Sequence, residues 1–123
     1  MTAKVAGLIP MVHVADVQRS VDFYRLLGME IRGSLRNAAG KLQWVHLGCD
    51  RAEAMFTIAS EPVIAHQQAV LFYLYSPQLV ELREHLLSHG VKVSEVSYPS
   101  YMPKGEIRIE DLDGYVLLIG QSG

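Results

Sequence analysis

An α+β fold built from two βαβββ modules is predicted by three observations. The chain repeats itself, each repeat switches between strand-like and helix-like apolar spacing, and each helical stretch closes on a glycine. The first copy reads "VHVADVQRSVDFYRLLGMEI" and the second "FYLYSPQLVELREHLLSHGVKV". Both run as an apolar strand, a polar break, an amphipathic helix, a glycine (Gly28, Gly90) and a short alternating strand.

In the first copy Asp16 is placed to cap a helix, and Val17, Val21, Tyr24 and Leu27 recur at helical spacing. Gly28 then ends the helix in the left-handed conformation that glycine adopts without a steric cost. Strands follow at "MEIRGSL", "LQWVHLG" and "EAMFTIA", with "NAAGK" and "CDRA" as turns. In the second copy Ser76 is expected to cap, Pro77 to take the first helical position, and Leu79, Leu82 and Leu86 to form the apolar stripe. Gly90 closes it. Strands are expected at "VKVSEV", "EIRIED" and "YVLLIGQ", the last hairpin turning at "LDG". Module one thus spans about 5–60, a linker about 60–68, and module two about 69–121, all within a single domain. Neither module is large enough to bury both faces of its sheet. The two are expected to pack into a concave, partly open mixed sheet, within one chain or across a dimer.

Composition narrows the function classes. Of 123 residues, 50% are hydrophobic and 20% charged, which suits a globular domain with a real core. Eleven basic and thirteen acidic residues leave a net charge of −2 with no basic stripe, so no nucleic-acid partner is expected. No apolar run is long enough to span a bilayer and no signal peptide is visible, so no membrane partner is expected and the cytoplasm is. The single Cys49 forms no intramolecular disulfide and lies in no nucleophile motif. There is no glycine-rich phosphate loop and no Ser-His-Asp order.

The paired modules, with "IPMVHVADVQRSVDFYRLLGMEI" at the start and "GEIRIEDLDGYVLLIG" at the end, resemble the vicinal oxygen chelate superfamily of glyoxalases, bleomycin resistance proteins and extradiol dioxygenases. The opening carries the family's "D…S…FY…LG"; the closing hairpin, usually DPDG, has Leu112 in place of the proline. The resemblance covers almost the whole chain. It implies a divalent ion held by a His or Gln on the first strand, a Glu on the fourth, a His on the fifth and a Glu on the eighth. Those positions fall here on Ile9, Thr57, Val70 and Leu118. Three aliphatic groups and a hydroxyl are not a ligand set for such an ion. The expectation is therefore a metal-free, bleomycin-resistance-like branch with no cofactor. The resemblance also implies a ligand-accepting glutamate shortly before the closing hairpin, where Glu106 stands.

Strand alternation then assigns the candidate binding face. Ile9 brings Met11 and His13 with it; Val70 brings Phe72 and Leu74; Leu118 brings Val116 and Gly120. Trp44 and His46 are assigned to the binding face, and Val45 and Leu47 to the helix-packed core. Tyr101, Met102 and Glu106 come from "SYPSYMPKGE", which precedes a strand. Glu106 can accept from a ligand or pair with Arg108 or Lys104 at a strand end. The ligand-binding candidates are thus His13, Trp44, His46, Thr57, Phe72, Tyr101, Met102 and Glu106, an apolar and aromatic lining with few polar points. Trp44 can stack on a planar or cationic ligand or plug the core. The pair His85 and His89 in "HLLSH" reads as surface histidines in a last helical turn.

The leading expectation is a homodimer that binds a small, partly aromatic or apolar molecule, as drug-sequestering proteins do, without catalysis. The alternative is a glyoxalase-type lyase or isomerase, or a dioxygenase, with relocated ligands such as His13, His46 and Glu106. A third is an interaction module without a small ligand, in which Trp44 serves only the fold.

Overall fold

The computed structural model describes residues 3–123. These fall into two compact units, one ending at Pro62 and the other beginning at Val63.

In the first unit, β1 (Met11–Val14), α1 (Val17–Arg25), β2 (Glu30–Arg36), β3 (Leu42–Cys49) and β4 (Ala52–Ile58) form one sheet in the order β1-β4-β3-β2. β1 runs parallel to β4 and the other pairs are antiparallel. The right-angled alternation of side chains decides what each face holds. Val12, Val14, Val45, Leu47 and Phe56 are buried, together with Val17, Val21 and Tyr24 of α1. The Tyr24 and Phe56 rings sit 4.6 Å apart. Each such side chain contributes about 1.5–3 kcal/mol on leaving water. α1 starts where Asp16 accepts the Arg19 amide at 3.2 Å, and Gly28 leaves it at φ +88°.

The second unit repeats this plan with β5 (Leu71–Ser76), α2 (Leu79–Ser88), β6 (Glu106–Glu110) and β7 (Val116–Gln121), in the order β5-β7-β6. β5 is parallel to β7, as β1 is to β4, and β6 is antiparallel to β7. Leu117, Ile119, Ile107 and Ile109 are buried with Leu79 and Leu86 of α2. Two local expectations change here. The stretch 91–96 is not a regular strand. It runs beside β6, where the Ser94 hydroxyl, and not a carbonyl, accepts the Arg108 amide at 2.8 Å. A side chain that takes a ladder partner interrupts the ladder; pairing resumes only at Ser97 and Glu106. α2 also begins at Leu79, past Pro77, because its first amide is capped from afar: Gln121 Oε1 accepts Leu79 N–H at 3.0 Å. The Ser76 hydroxyl accepts the Gln78 amide instead.

The closing hairpin holds without the family's proline. Asp111 Oδ1 accepts the amides of Asp113 and Tyr115, each at 2.9 Å, and Leu112 points to solvent. An aspartate that bonds its own turn in this way, with Gly114 at φ +85°, sets the reversal.

Candidate ligand-binding site

Each sheet has one face against its helix and one face open. On the open face of the first unit two rows of side chains cross the strands. His13, Thr57, Trp44 and Leu35 are in register, and beside them run Met11, Met55, His46 and Gly33. The Trp44 ring lies over Gly33, whose missing side chain leaves its edge atoms 3.5 Å from where a Cβ would stand. His13 and His46 therefore share a face but stand two strands apart, separated by β4. His46 is committed: its Nε2 lies 2.9 Å from Glu53 Oε1, which also takes the Arg32 guanidinium at 3.2 Å. That guanidinium lies flat on Gly48, in space that any side chain there would fill. The Thr57 hydroxyl donates to the Gln43 carbonyl at 3.4 Å.

On the open face of the second unit, Tyr73 pairs with Leu118 and is in register across β7 with Arg108, and Tyr75 pairs with Gly120 and is in register with Glu106. Glu106 is buried, 7% exposed, although it stands at the start of an outer strand. Tyr73 O–H donates to its Oε2 at 2.5 Å and Tyr101 O–H to its Oε1 at 3.0 Å. This answers the strand-end question: Arg108 pairs with Glu110, not with Glu106. Met102 closes the floor. Its methyl sits 2.6 Å from where a Gly120 Cβ would be, and the Tyr73 hydroxyl 3.0 Å from the same point. A glycine at this point of β7 is what lets thioether and phenol settle on the sheet. The rings of Tyr73 and Tyr75 are 5.2 Å apart and those of Tyr73 and Tyr101 6.4 Å.

The surroundings act on these phenols. Burial of its hydroxyl end, then the hydrogen bond to Glu106, pushes the Tyr73 phenol well above the ordinary tyrosine range. The hydrogen bond to Glu106 raises Tyr101 as well, with burial second. Both stay neutral donors at any physiological pH. Burial, then the Asp50 charge, pushes the Cys49 thiol up, which disfavours the thiolate that a nucleophile needs.

Phe72 does not join this face. It pairs with Leu117, whose side chain is fully buried, and its ring lies 6.0 Å from that of Tyr115. Counting alternation from Val70, which lies just outside β5, put the wrong half of "LFYLYS" on the open side. Leu118 was the better anchor, because it pairs directly with Tyr73. Tyr73 and Tyr75 are thus the residues that sequence reading missed. Their signal was an every-second-residue tyrosine pattern, readable only once the strand register is known.

The familial ion position was tested on its donors. Ile9, Val70 and Leu118 carry none, and the Thr57 hydroxyl is engaged by a backbone carbonyl. Among the described residues, no three of His, Cys, Asp and Glu gather where they could hold a metal. The residues present do not fit a divalent ion there. His85 and His89 stack on the exposed end of α2, 4.5 Å between ring centroids, and the His89 Nδ1 lies 2.9 Å from the His85 carbonyl.

Comparison with known proteins decides the family. The sequence profile of the Glyoxalase/Bleomycin resistance protein/Dioxygenase superfamily matches residues 9–119. The chain belongs to that superfamily. Curated proteins yield no match by sequence. Among solved structures, this superfamily member is similar to a bleomycin-binding protein complexed with bleomycin, at 17% identity and a TM-score of 0.75, covering 97% of this chain and 100% of the other. It is equally similar to the bleomycin resistance determinant encoded on transposon Tn5, at 17% identity and a TM-score of 0.76, covering 96% and 98%. A fosfomycin resistance protein, FosX from Listeria monocytogenes, solved with Mn(II), matches at 15% identity and a TM-score of 0.72, covering 98% and 95%. At these identities the likeness is one of fold. Among the described residues, no helix of this superfamily member is long and apolar enough to cross a membrane.

Proposed function

We propose that the protein binds a small, partly aromatic or apolar molecule and sequesters it, as a homodimer in the cytoplasm, without a resident metal ion and without chemistry on the ligand. The observation that carries this reading is the open face of the second unit, where Tyr73 and Tyr101 donate to a buried acid, with Tyr75 beside Tyr73 and Met102 over Gly120. A concentration of rings around one polar point is the usual make-up of a small-molecule site. The first unit's open face, with Trp44, Met11 and Met55, offers similar chemistry. Two of the similar structures are bleomycin binders or resistance determinants by name, which supports sequestration over catalysis. Large apolar side chains left exposed at Val5, Leu8 and Leu35 support a second copy as the partner.

An enzyme with relocated ligands would need His13, His46 and Glu106. His46 is held by Glu53 and stands two strands from His13, and among the described residues no three such groups gather. Native mass spectrometry of the protein as purified tests the choice. A dimer without metal, with or without an organic adduct, is expected. One tightly held divalent ion per chain, lost in His46→Ala, would replace the binding reading with the enzyme. A strictly monomeric mass would remove the dimer.

A further inference from the structure

We propose that Tyr73, Tyr75, Tyr101 and Glu106 form a receptor for the ammonium head of an organic cation. This rests on the small-molecule-binding reading and names the ligand class for that same site.

Glu106 is 7% exposed, and a carboxylate withdrawn from water normally sits beside a cation. Among the described residues, no Lys, Arg or His comes within ion-pair distance of it. Its two partners are phenols, and both donate to it. Neutral donors orient a carboxylate but do not neutralise it. Each oxygen also keeps a further lone pair, which an ammonium N–H can use.

The rings supply the second half of the recognition. Tyr75 is 66% exposed, Tyr101 64% and Tyr73 36%, so all three present surface to a ligand while the Tyr73 hydroxyl stays on Glu106. Tyr73 meets Tyr75 at 47° and Tyr101 at 68° between ring planes. Ring faces are negative and attract a cation, and Tyr75 and Tyr101 leave most of their surface open to one. Tyr73 and Tyr101 hold their protons more firmly than ordinary phenols, so they add no second charge. An anion would be repelled by Glu106, and a neutral ring would gain nothing from it. The combination discriminates for a positive head.

Isothermal titration of the full chain with benzylammonium and with benzyl alcohol, its neutral counterpart, tests this. The cation is expected to bind about tenfold more tightly, the value of one good charged contact. That preference should vanish in Glu106→Gln. Tyr75→Leu, which leaves Glu106 and its two donors untouched, should cost the cation about threefold. If Glu106→Gln does not fold by circular dichroism, Tyr75→Leu decides alone, and an unchanged affinity there overturns the proposal. Equal binding of both probes overturns the cation preference and leaves the small-molecule reading standing. No binding of either probe at millimolar concentration overturns both.

Discussion

The two open sheet faces treat a glutamate in opposite ways. In the first unit Glu53 is 35% exposed and lies between Arg32 and His46, so the chain itself supplies the counter-charge. In the second unit Glu106 is buried and meets only phenols. Both glutamates stand on strands of similar small sheets, so burial and partner type, not residue type, separate them. An exposed carboxylate inside an ion-pair network is already satisfied. A buried one with neutral partners has no counter-charge beside it. The first glutamate has its counter-charge within the sheet, and the second has only neutral donors.

The largest expected effect on stability comes from taking a donor away from the buried acid. Tyr73→Phe should lower unfolding free energy in urea by about 1.5 kcal/mol, the low end for a charge-assisted bond because a third of the side chain is exposed. In a Glu106→Gln background the same change should cost less, since the two residues act as a pair. If the costs simply add, the tyrosine does not serve the acid.

Alkaline pH sharpens the same point. The folded chain holds the Tyr73 proton more tightly than the unfolded chain does, so the stability this gives is complete below the ordinary tyrosine value of 10.0. It drains away as pH rises above that value toward the raised one. Urea midpoints measured up to strong alkali should therefore fall, and the fall should be shallower in Tyr73→Phe. Equal slopes would mean that the phenol is not held.

Tyr101→Phe should lower the urea midpoint less than Tyr73→Phe. Its bond is longer and its ring more exposed, and its role is to tie the 97–105 segment to β6. The smallest effect belongs to the other face: Glu53→Ala should cost about 0.2–1 kcal/mol, the range of a solvent-exposed pair, and should weaken further with salt. A larger loss there than for Tyr73→Phe would reverse the comparison.

Much of the fold was legible in the residues because its signals are local. Asp16 before a helix, glycines after two helices, and turn residues between alternating runs all act within a few positions. Duplication made each half a check on the other. The strand expected at 91–96 was the exception, because a serine hydroxyl can replace a carbonyl only where a partner strand is already in place. The same holds for α2, whose cap comes from Gln121 at the far end of the chain.

The site was legible in part. Glu106 and Tyr101 lie together in sequence and meet in space, and Met102 beside them in sequence settles on Gly120, so a local reading finds them. Tyr73 reaches Glu106 only through the register of β5, β7 and β6, which no spacing in the chain specifies. A slip of one residue exchanges the two faces of a strand, which is why Phe72 was expected where Tyr73 stands. The repeat, the helices, most strands and the aliphatic or hydroxyl side chains at Ile9, Thr57, Val70 and Leu118 follow from residue type at countable positions. Which carboxylate is buried, and who its partners are, does not. Burial and charge compensation are properties of neighbours in space, and strand pairing is what chooses those neighbours.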